Sequence, residues 1–118
     1  MKKSIFLLSF LLFACTEYGD NKPPKNLIPP EQMSKITLDI VLIKNIKRNA
    51  YSNQKLKAFR TDQYLFDKYQ IDSQQLASSQ EYYAKNPKAY IPIVKEAQEM
   101  INKIEDSIQK ILAEFEDQ

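Results

Sequence analysis

The chain has 118 residues, of which 17 are lysine or arginine and 15 are aspartate or glutamate, with no histidine and one cysteine. A chain of this length forms a single domain. The absence of histidine removes the commonest general base and metal ligand, and a single cysteine excludes an intrachain disulfide, so we expect neither an enzyme nor a protein that needs a metal or other cofactor.

The first fourteen residues have the three parts of a secretory signal peptide. Two lysines follow the first methionine, Ile5–Phe13 is almost entirely apolar, and Ala14 is a small residue directly before Cys15. An apolar run of about ten residues is too short to cross a hydrocarbon layer about 30 Å thick. The pattern therefore predicts a lipoprotein signal peptide over residues 1–14, which is removed, and lipidation of Cys15.

Removal of the signal peptide changes the charge of the chain. Without Lys2 and Lys3 the chain has 15 basic and 15 acidic side chains, so it is formally neutral. A neutral chain lacks the positive charge on which nucleic-acid binding depends, and we expect no nucleic-acid partner. Acyl chains on Cys15 would hold the protein at a membrane.

Residues 15–29 contain the only glycine of the chain and three prolines, a composition that predicts a flexible tether. Apolar side chains at Leu27 and Ile28 leave open that residues 26–28 dock on the domain that follows. We predict that this domain is helical and covers residues 30–118.

The first predicted helix runs from Pro30 to about Asn49, because proline suits the first position of a helix and Glu31 is favourable in the first turn. Its apolar residues cover a broad surface, which indicates packing on more than one neighbour. Asp39 lies within that surface, where an unpaired carboxylate would be costly. We expect it to bind a tyrosine, a lysine or a backbone N–H; the alternative is a buried acid used in chemistry or gating.

Two shorter helices are predicted next. Periodic apolar residues over 56–69 predict the second helix. Asp72 is placed to cap a third helix over 73–85, and Ile71 and Leu76 stand at the positions of a hydrophobic staple across its start. The middle of the domain is therefore expected to consist of these two helices.

The last helix has the strongest periodic pattern in the chain. Asn86 and Pro87 suit its cap and first position. Apolar residues then recur in steps of four and three, which predicts a seam that packs against another helix. We favour packing of this seam on the first helix, and a coiled-coil contact with another chain through Val94–Phe115 is the alternative. The seam consists of Tyr90, Val94, Ala97, Ile101, Ile104, Ile108, Ile111 and Phe115.

Taken together, the elements predict an all-α fold. We expect a small bundle of about four helices, with long first and last helices and two shorter ones between them, since no strand-like alternation appears. The signal peptide and the flexible tether precede this bundle.

Four short motifs occur in order along the domain, namely Leu27-Ile28-Pro29-Pro30, Asp39-Ile40, Phe66-Asp67-Lys68-Tyr69-Gln70-Ile71, and Ser79 with Tyr82-Tyr83. In this order, behind a lipoprotein signal, they make the chain resemble a family of small Bacteroidota lipoproteins known as domain of unknown function 4296. The resemblance covers roughly residues 27–107. It implies an envelope location and a compact helical domain rather than an activity.

The resemblance also marks residues of interest. Relatives often carry histidine where this chain has Val41, and glycine where it has Gln70, so the turn before Ile71 has to form without the freedom of glycine at positive φ. We expect the marked tyrosines to be core residues whose hydroxyls are hydrogen-bonded at the edge of the core. The candidate structural or binding residues are Asp39, Tyr69, Tyr82 and Tyr83.

Two functions from different classes follow. The first is a lipid-anchored helical interaction or scaffold module of the bacterial outer membrane, on its periplasmic face, with a protein of the envelope as partner. An exposed apolar seam would favour it. The second is a small-ligand carrier, which a tyrosine-lined cavity would favour. The tyrosines expected to line that cavity are Tyr64, Tyr69, Tyr82, Tyr83 and Tyr90.

Charge is unevenly distributed along the domain. Lysines and arginines dominate residues 44–60, whereas Lys95–Asp117 contains three lysines and seven acids. One interpretation is attraction between solvated faces of neighbouring helices. The other is that the basic end faces lipid head groups while the acidic helix faces a protein partner.

Overall fold

The computed structural model describes residues 21–117, and within that range the chain forms five helices and no strand, which confirms the predicted all-α class. The predicted signal peptide and Cys15 lie outside the described residues. The first helix packs most extensively on the last helix, and it also packs on the two helices that follow it. In chain order the helices are α1 (Pro30–Asn49), α2 (Gln54–Lys57), α3 (Thr61–Tyr69), α4 (Ser73–Lys85) and α5 (Pro87–Glu116).

The hydrophobic core forms where the N-terminal half of α1 meets side chains of α3, α4 and α5. Its buried members and the partly buried side chains packed around them all lie between Leu27 and Ile93, so residues 21–118 contain the whole of the described core. The buried members are Ile28, Met33, Ile36, Leu65, Ile71, Tyr83 and Ile93.

One polar contact joins α1 to α5 beside this core. The buried Ser34 hydroxyl lies 2.8 Å from a carboxylate oxygen of Glu96 on α5 and 3.0 Å from the carbonyl oxygen of Pro30 in its own helix. A hydroxyl has one proton to donate, and either acceptor satisfies it. The contact therefore links the two long helices without leaving a buried polar atom unpaired.

The region predicted as one second helix contains two. Asn53 caps α2 by accepting hydrogen bonds from the backbone N–H groups of Lys55 and Leu56, at 3.1 and 3.2 Å. The chain leaves the helix at Ala58, and Lys47 of α1 donates to the carbonyl oxygen of Phe59 at 2.8 Å. Because residues 56–60 include neither glycine nor proline, the sequence carries no local signal for this break. A contact with α1 accompanies it instead.

The turn between α3 and α4 contains the one positive φ among the described residues. Gln70 has φ 52° and ψ 48°, in the left-handed region. The N–H of Ile71 donates to the carbonyl oxygen of Phe66 at 3.2 Å, which is the outer hydrogen bond of a Schellman motif. A glutamine therefore occupies a position for which glycine is the usual residue, as the family resemblance led us to expect.

The predicted span of α4 and the predicted start of α5 are confirmed. The Asp72 side chain accepts from the N–H of Gln75 at 2.7 Å and so caps α4. Asn86 stands at the cap position of α5 and Pro87 at its first position, although the Asn86 side chain donates to the carbonyl oxygen of Tyr82 at 2.8 Å and so closes the end of α4. The helix α5 continues through Pro92.

The inward face of α5 differs from the predicted seam at its start. Ile93 is completely buried, whereas Val94, its predicted neighbour in the seam, is exposed. The buried line continues through Ala97 and the half-buried Ile101. The periodic pattern missed Ile93 because Ile93 and Val94 are adjacent aliphatic residues and the seam was assigned to Val94. Packing against neighbouring helices decides which of the two side chains points inward.

Beyond this point α5 has no covered side. All residues from Asn102 to Asp117 are exposed. Of the predicted seam, Ala97 is buried and Ile101 is half-buried, in a helix that packs mainly on α1, and the remaining apolar residues of the seam face solvent.

Candidate functional site

The first predicted site residue, Asp39, is paired. Its side chain is 13% exposed, and one carboxylate oxygen accepts hydrogen bonds from the Lys68 ammonium at 2.7 Å and from the Tyr69 hydroxyl at 2.8 Å. Both donors lie in the last turn of α3, one residue apart, and Asp39 lies in the middle of α1. The structure thus supplies a lysine and a tyrosine, two of the three kinds of partner expected from the sequence.

The proton positions in this cluster follow from the same contacts. The hydrogen bond to Asp39 raises the pKa of Lys68 above its usual range, and burial, with the hydrogen bond to Asp39, raises the pKa of Tyr69 to about 12. At neutral pH the lysine is therefore charged and the tyrosine is neutral. The Lys68 ammonium also lies 5.4 Å from the ring centre of Tyr64 and 5.3 Å from that of Tyr69, within the range of a cation–π contact.

This arrangement fastens α3 to α1. Gln32, two turns before Asp39, donates to the carbonyl oxygen of Tyr69 at 3.2 Å and so satisfies a backbone group at the end of α3. A carboxylate with a charged donor and a neutral donor is a satisfied ion pair. Its geometry explains how Asp39 is accommodated in an apolar surface.

The second pair of predicted site residues lies on α4. Tyr83 is buried, and its hydroxyl donates to the backbone carbonyl oxygen of Ile28 at 2.6 Å. Burial, and then the neighbouring Tyr82, raise the pKa of Tyr83, so the hydroxyl keeps its proton at neutral pH. The rings of Tyr82 and Tyr83 meet edge to face with centres 5.4 Å apart.

Tyr83 is one member of a row of side chains that we term the N-segment clasp, namely Gln75, Ser79 and Tyr83. These residues are four positions apart and so share one face of α4. Gln75 donates to the carbonyl oxygen of Asn26 at 3.0 Å, and the Ser79 hydroxyl accepts from the N–H of Ile28 at 3.0 Å. Both backbone groups of the buried Ile28 are thereby satisfied by α4.

The N-segment clasp binds residues that precede the predicted start of the domain at Pro30. Residues 21–29, which composition assigned to the flexible tether, extend along α4, and the Asn21 side chain donates to the carbonyl oxygen of Lys85 at 3.0 Å. The sequence left open whether residues 26–28 dock on the domain. In the structure Ile28 is buried and bonded to α4. The role of Ser79 was missed, although its position four residues before a buried tyrosine is a signal that could have revealed it.

The five tyrosines considered as the lining of one cavity are divided among different places. Tyr64 and Tyr69 lie around Lys68. Tyr83 and Tyr90 line an open groove of about 350 Å³ with Met33, Gln80 and Ala84, and Tyr82 borders a separate groove of about 250 Å³ beside the residues 21–24.

A contiguous exposed apolar surface lies on the outer half of α5. We term it the distal α5 face, and define it as Ile104, Ile108, Ile111, Leu112 and Phe115. At 100° per residue these five positions fall within about one third of the helix circumference. All are exposed, and Phe115 reaches 69%.

Within residues 21–117, no cluster of three or more histidine, cysteine, aspartate or glutamate side chains could hold a metal ion. None of the helices in this range is both long and apolar enough to cross a bilayer.

The fold and these contacts define a small all-α domain with a clasped N-terminal segment and an exposed last helix. The chain belongs to the family described as Domain of unknown function (DUF4296), whose model matches residues 24–113. The match begins within the segment held by α4 and ends on the distal α5 face. No curated protein and no solved structure matches the chain significantly.

Proposed function

We propose that this protein is a lipid-anchored interaction or scaffold module of the bacterial outer membrane, held at the periplasmic face through Cys15. In this proposal the distal α5 face docks on a protein of the envelope. The observation that carries the proposal is the exposure of five large apolar side chains on one face of a helix.

Single exposed apolar residues are common on proteins, but a contiguous apolar face indicates an interaction surface. The steps of four and three from Ile104 to Phe115 are those of a helix that packs against another helix. Charged residues such as Asp106 and Lys110 cover the opposite side of α5, which keeps the helix soluble until it binds.

Anchoring is tested on the full chain in cells that process lipoproteins. We expect metabolic labelling with palmitate and recovery of the protein in the membrane fraction. The variant Cys15→Ser should lose the label. Labelling that persists in this variant would contradict lipidation at Cys15.

The docking surface is tested by photocrosslinking in native membranes. A photoreactive amino acid at Phe115, on the distal α5 face, should give a crosslink to another envelope protein. The same amino acid at Gln74, an exposed position on α4, is the matched control and should give none. Monomer alone at both positions would contradict the module, and an adduct of two copies of this chain would contradict an envelope partner.

A second candidate is the small-ligand carrier. The groove lined by Tyr83 and Tyr90 favours it, because this groove has a volume of about 350 Å³ and two tyrosines in its wall. A carrier isolated from its native membrane should retain a small molecule that native mass spectrometry detects. Tyr90→Ala should release that molecule, and a wild-type protein that carries no added mass would count against this function.

A further inference from the structure

The last turns of α1, the helix α2 and the segment that joins α2 to α3 carry charge of one sign. No aspartate or glutamate occurs from Val41 to Thr61. In the same stretch six side chains are positively charged at neutral pH, namely Lys44, Lys47, Arg48, Lys55, Lys57 and Arg60.

The same stretch carries apolar side chains that face solvent. An apolar groove of about 200 Å³ lies between α1 and α2 and is lined by Ile43, Ile46, Lys47, Leu56 and Phe59. Ile46, Leu56 and Phe59 are exposed, and Tyr51 beside them is 81% exposed, the highest value among the large apolar residues of the described chain. We term the residues 43–60 the basic end.

The basic end is held in shape by its own contacts. Lys47 donates to the carbonyl oxygen of Phe59 at 2.8 Å, and Lys57 donates to that of Tyr51 at 2.9 Å. These two bonds satisfy backbone groups of the segments on which the apolar side chains stand.

Arg60 pairs with Asp62 at 3.1 Å, and the other three cations remain available to a partner. Arg48 bonds only to Asn45 in its own helix, at 2.9 Å, among the described residues. Within residues 21–117, the ammonium groups of Lys44 and Lys55 make no hydrogen bond or ion pair.

We propose that the basic end is a peripheral membrane-binding surface that seats on anionic lipid head groups. Exposed aliphatic and aromatic side chains enter the boundary between head groups and acyl chains, while lysine and arginine remain among the phosphates. Tyrosine is enriched at that boundary because its ring is apolar and its hydroxyl is polar. A bilayer accounts for both the cations and the protruding apolar residues, whereas phosphate binding alone would leave Tyr51 and Leu56 without a role.

The second half of α5 is acidic whereas the basic end is positive, and this difference would orient the domain on an anionic bilayer. The stretch Lys95–Asp117 has three lysines and seven acids, so anionic head groups repel it. In this proposal the basic end faces the bilayer, and the acidic α5 is not attracted to it. This leaves the distal α5 face open to the partner of the proposed function.

The lipid anchor is compatible with this orientation. Five residues lie between Cys15 and Asn21, so the six Cα–Cα steps from one to the other reach at most about 20 Å. The helix α1 is about 30 Å long at 1.5 Å per residue, so contact at both places lays α1 along the bilayer. Membrane attachment by two weak elements is more stable than by one.

The proposal goes beyond the proposed function and is tested without the anchor. Residues 21–118 contain the whole of the described core, and their helicity and cooperative unfolding are checked first by circular dichroism. This protein is then sedimented with vesicles of phosphatidylcholine alone or mixed with phosphatidylglycerol. We expect binding only to the mixed vesicles, and we expect it to weaken as salt is raised.

Paired variants locate the contact. The triple variant K44Q/R48Q/K55Q removes three cations that make no tertiary contact among the described residues. The control K95Q/K103Q/K110Q removes three from α5. Since a basic residue near an anionic membrane contributes about fivefold in affinity, the first variant should weaken binding at least tenfold and the second should not.

A second pair tests the apolar part of the proposal. Tyr51→Ser should weaken vesicle binding severalfold, whereas Phe115→Ser, which removes another exposed aromatic ring, on α5, should not. Equal binding to neutral and anionic vesicles, no binding at low salt, or equal loss in both members of either pair would overturn the proposal. None of these results depends on Cys15 or on a protein partner, so failure here is distinct from failure of the proposed function.

Discussion

The two halves of α5 have the same kind of sequence and opposite surroundings. In the first half Ile93 is 0% and Ala97 is 3% exposed, and Ile93 belongs to the core cluster with residues of α1, α3 and α4. In the second half Ile108 and Phe115 follow the same spacing, and no part of the described chain covers them. Periodicity shows that a helix has an apolar face; it does not show which molecule supplies the other side.

The two halves of α5 also differ in what they contribute, one to the stability of the fold and the other to binding. The covered half belongs to a core in which, among the described residues, every buried side-chain nitrogen and oxygen atom has a hydrogen-bond partner. The uncovered half contributes little to that core and is free to serve binding. Changes of the same kind in the two halves should therefore have different consequences.

The largest contrast is expected from one substitution made in each half. Ile93→Ala should lower the free energy of unfolding by about 2–4 kcal/mol, because it removes buried methyl groups and leaves a cavity. Ile108→Ala should change it by less than about 0.5 kcal/mol, as expected at an exposed site. Urea unfolding of the two variants measures both. Equal losses would mean that the distal α5 face is covered in the free protein.

The clasp on Ile28 should come next in size. Tyr83→Phe leaves the buried carbonyl group of Ile28 without its donor and should cost about 1–3 kcal/mol. Tyr82→Phe removes a hydroxyl that makes no described hydrogen bond and serves as the matched control. Urea unfolding measures both variants, and amide exchange at Ile28, whose N–H bonds to Ser79, should accelerate only in the first.

A smaller effect is expected where Asp39 joins α1 to α3. Asp39→Ala removes the acceptor shared by Lys68 and Tyr69 and should destabilise the domain by roughly 1 kcal/mol, because water partly replaces it at the lysine. Asp39→Asn keeps an oxygen that can accept from Tyr69 and should cost less. If thermal unfolding shows the two variants to be equally unstable, the tyrosine bond has no role in stability.

Gln70→Gly tests the turn that orients α4 for the clasp. The left-handed conformation disfavours residues with a Cβ atom, so glycine should stabilise the domain by about 0.5–1 kcal/mol. The gain is reduced by loss of the Gln70 side-chain bond to the carbonyl oxygen of Asp67, at 2.7 Å. Gln70→Ala loses the same bond without relieving the backbone, so it should be less stable than wild type when their melting temperatures are compared.

The last effect appears only in alkali. The pKa of Tyr69 rises from 10.0 to about 12 on folding, so the neutral form stabilises the fold below pH 10 and this contribution is lost as pH rises from about 10 to about 12. The raised pKa values of Lys68 and Tyr83 act in the same direction. Tyr69→Phe should show a shallower fall in stability over this range and should behave like wild type in its pH dependence at pH 7. A fall as steep as that of wild type would exclude Tyr69 as a source.

Sequence reasoning succeeded where structure is encoded locally. The cap at Asp72, the proline at the start of α5 and the helical periodicities depend on neighbours a few residues apart, and they are confirmed. It also predicted that Asp39 needs a partner, since an unpaired carboxylate in an apolar surface is costly. It gave no means of choosing between the candidate partners, because Lys68 and Tyr69 are about thirty residues away.

The misses share a cause. The break between α2 and α3 and the docking of residues 21–29 on α4 depend on contacts between distant parts of the chain, such as Lys47 with Phe59 and Ile28 with Ser79. The placement of Ile93 instead of Val94 in the core has the same origin. Local pattern does not record which segments meet.

The sequence by itself therefore determined that the domain is helical and where most helices begin, because these depend on backbone hydrogen bonds and caps within a few residues. Only the tertiary structure decided how the pieces are used. It placed residues 21–29 on α4, gave Asp39 its two donors, covered one half of α5 and left the other half and the basic end exposed. Burial and pairing are properties of neighbours in space, and the helices acquire those neighbours only when the chain is folded.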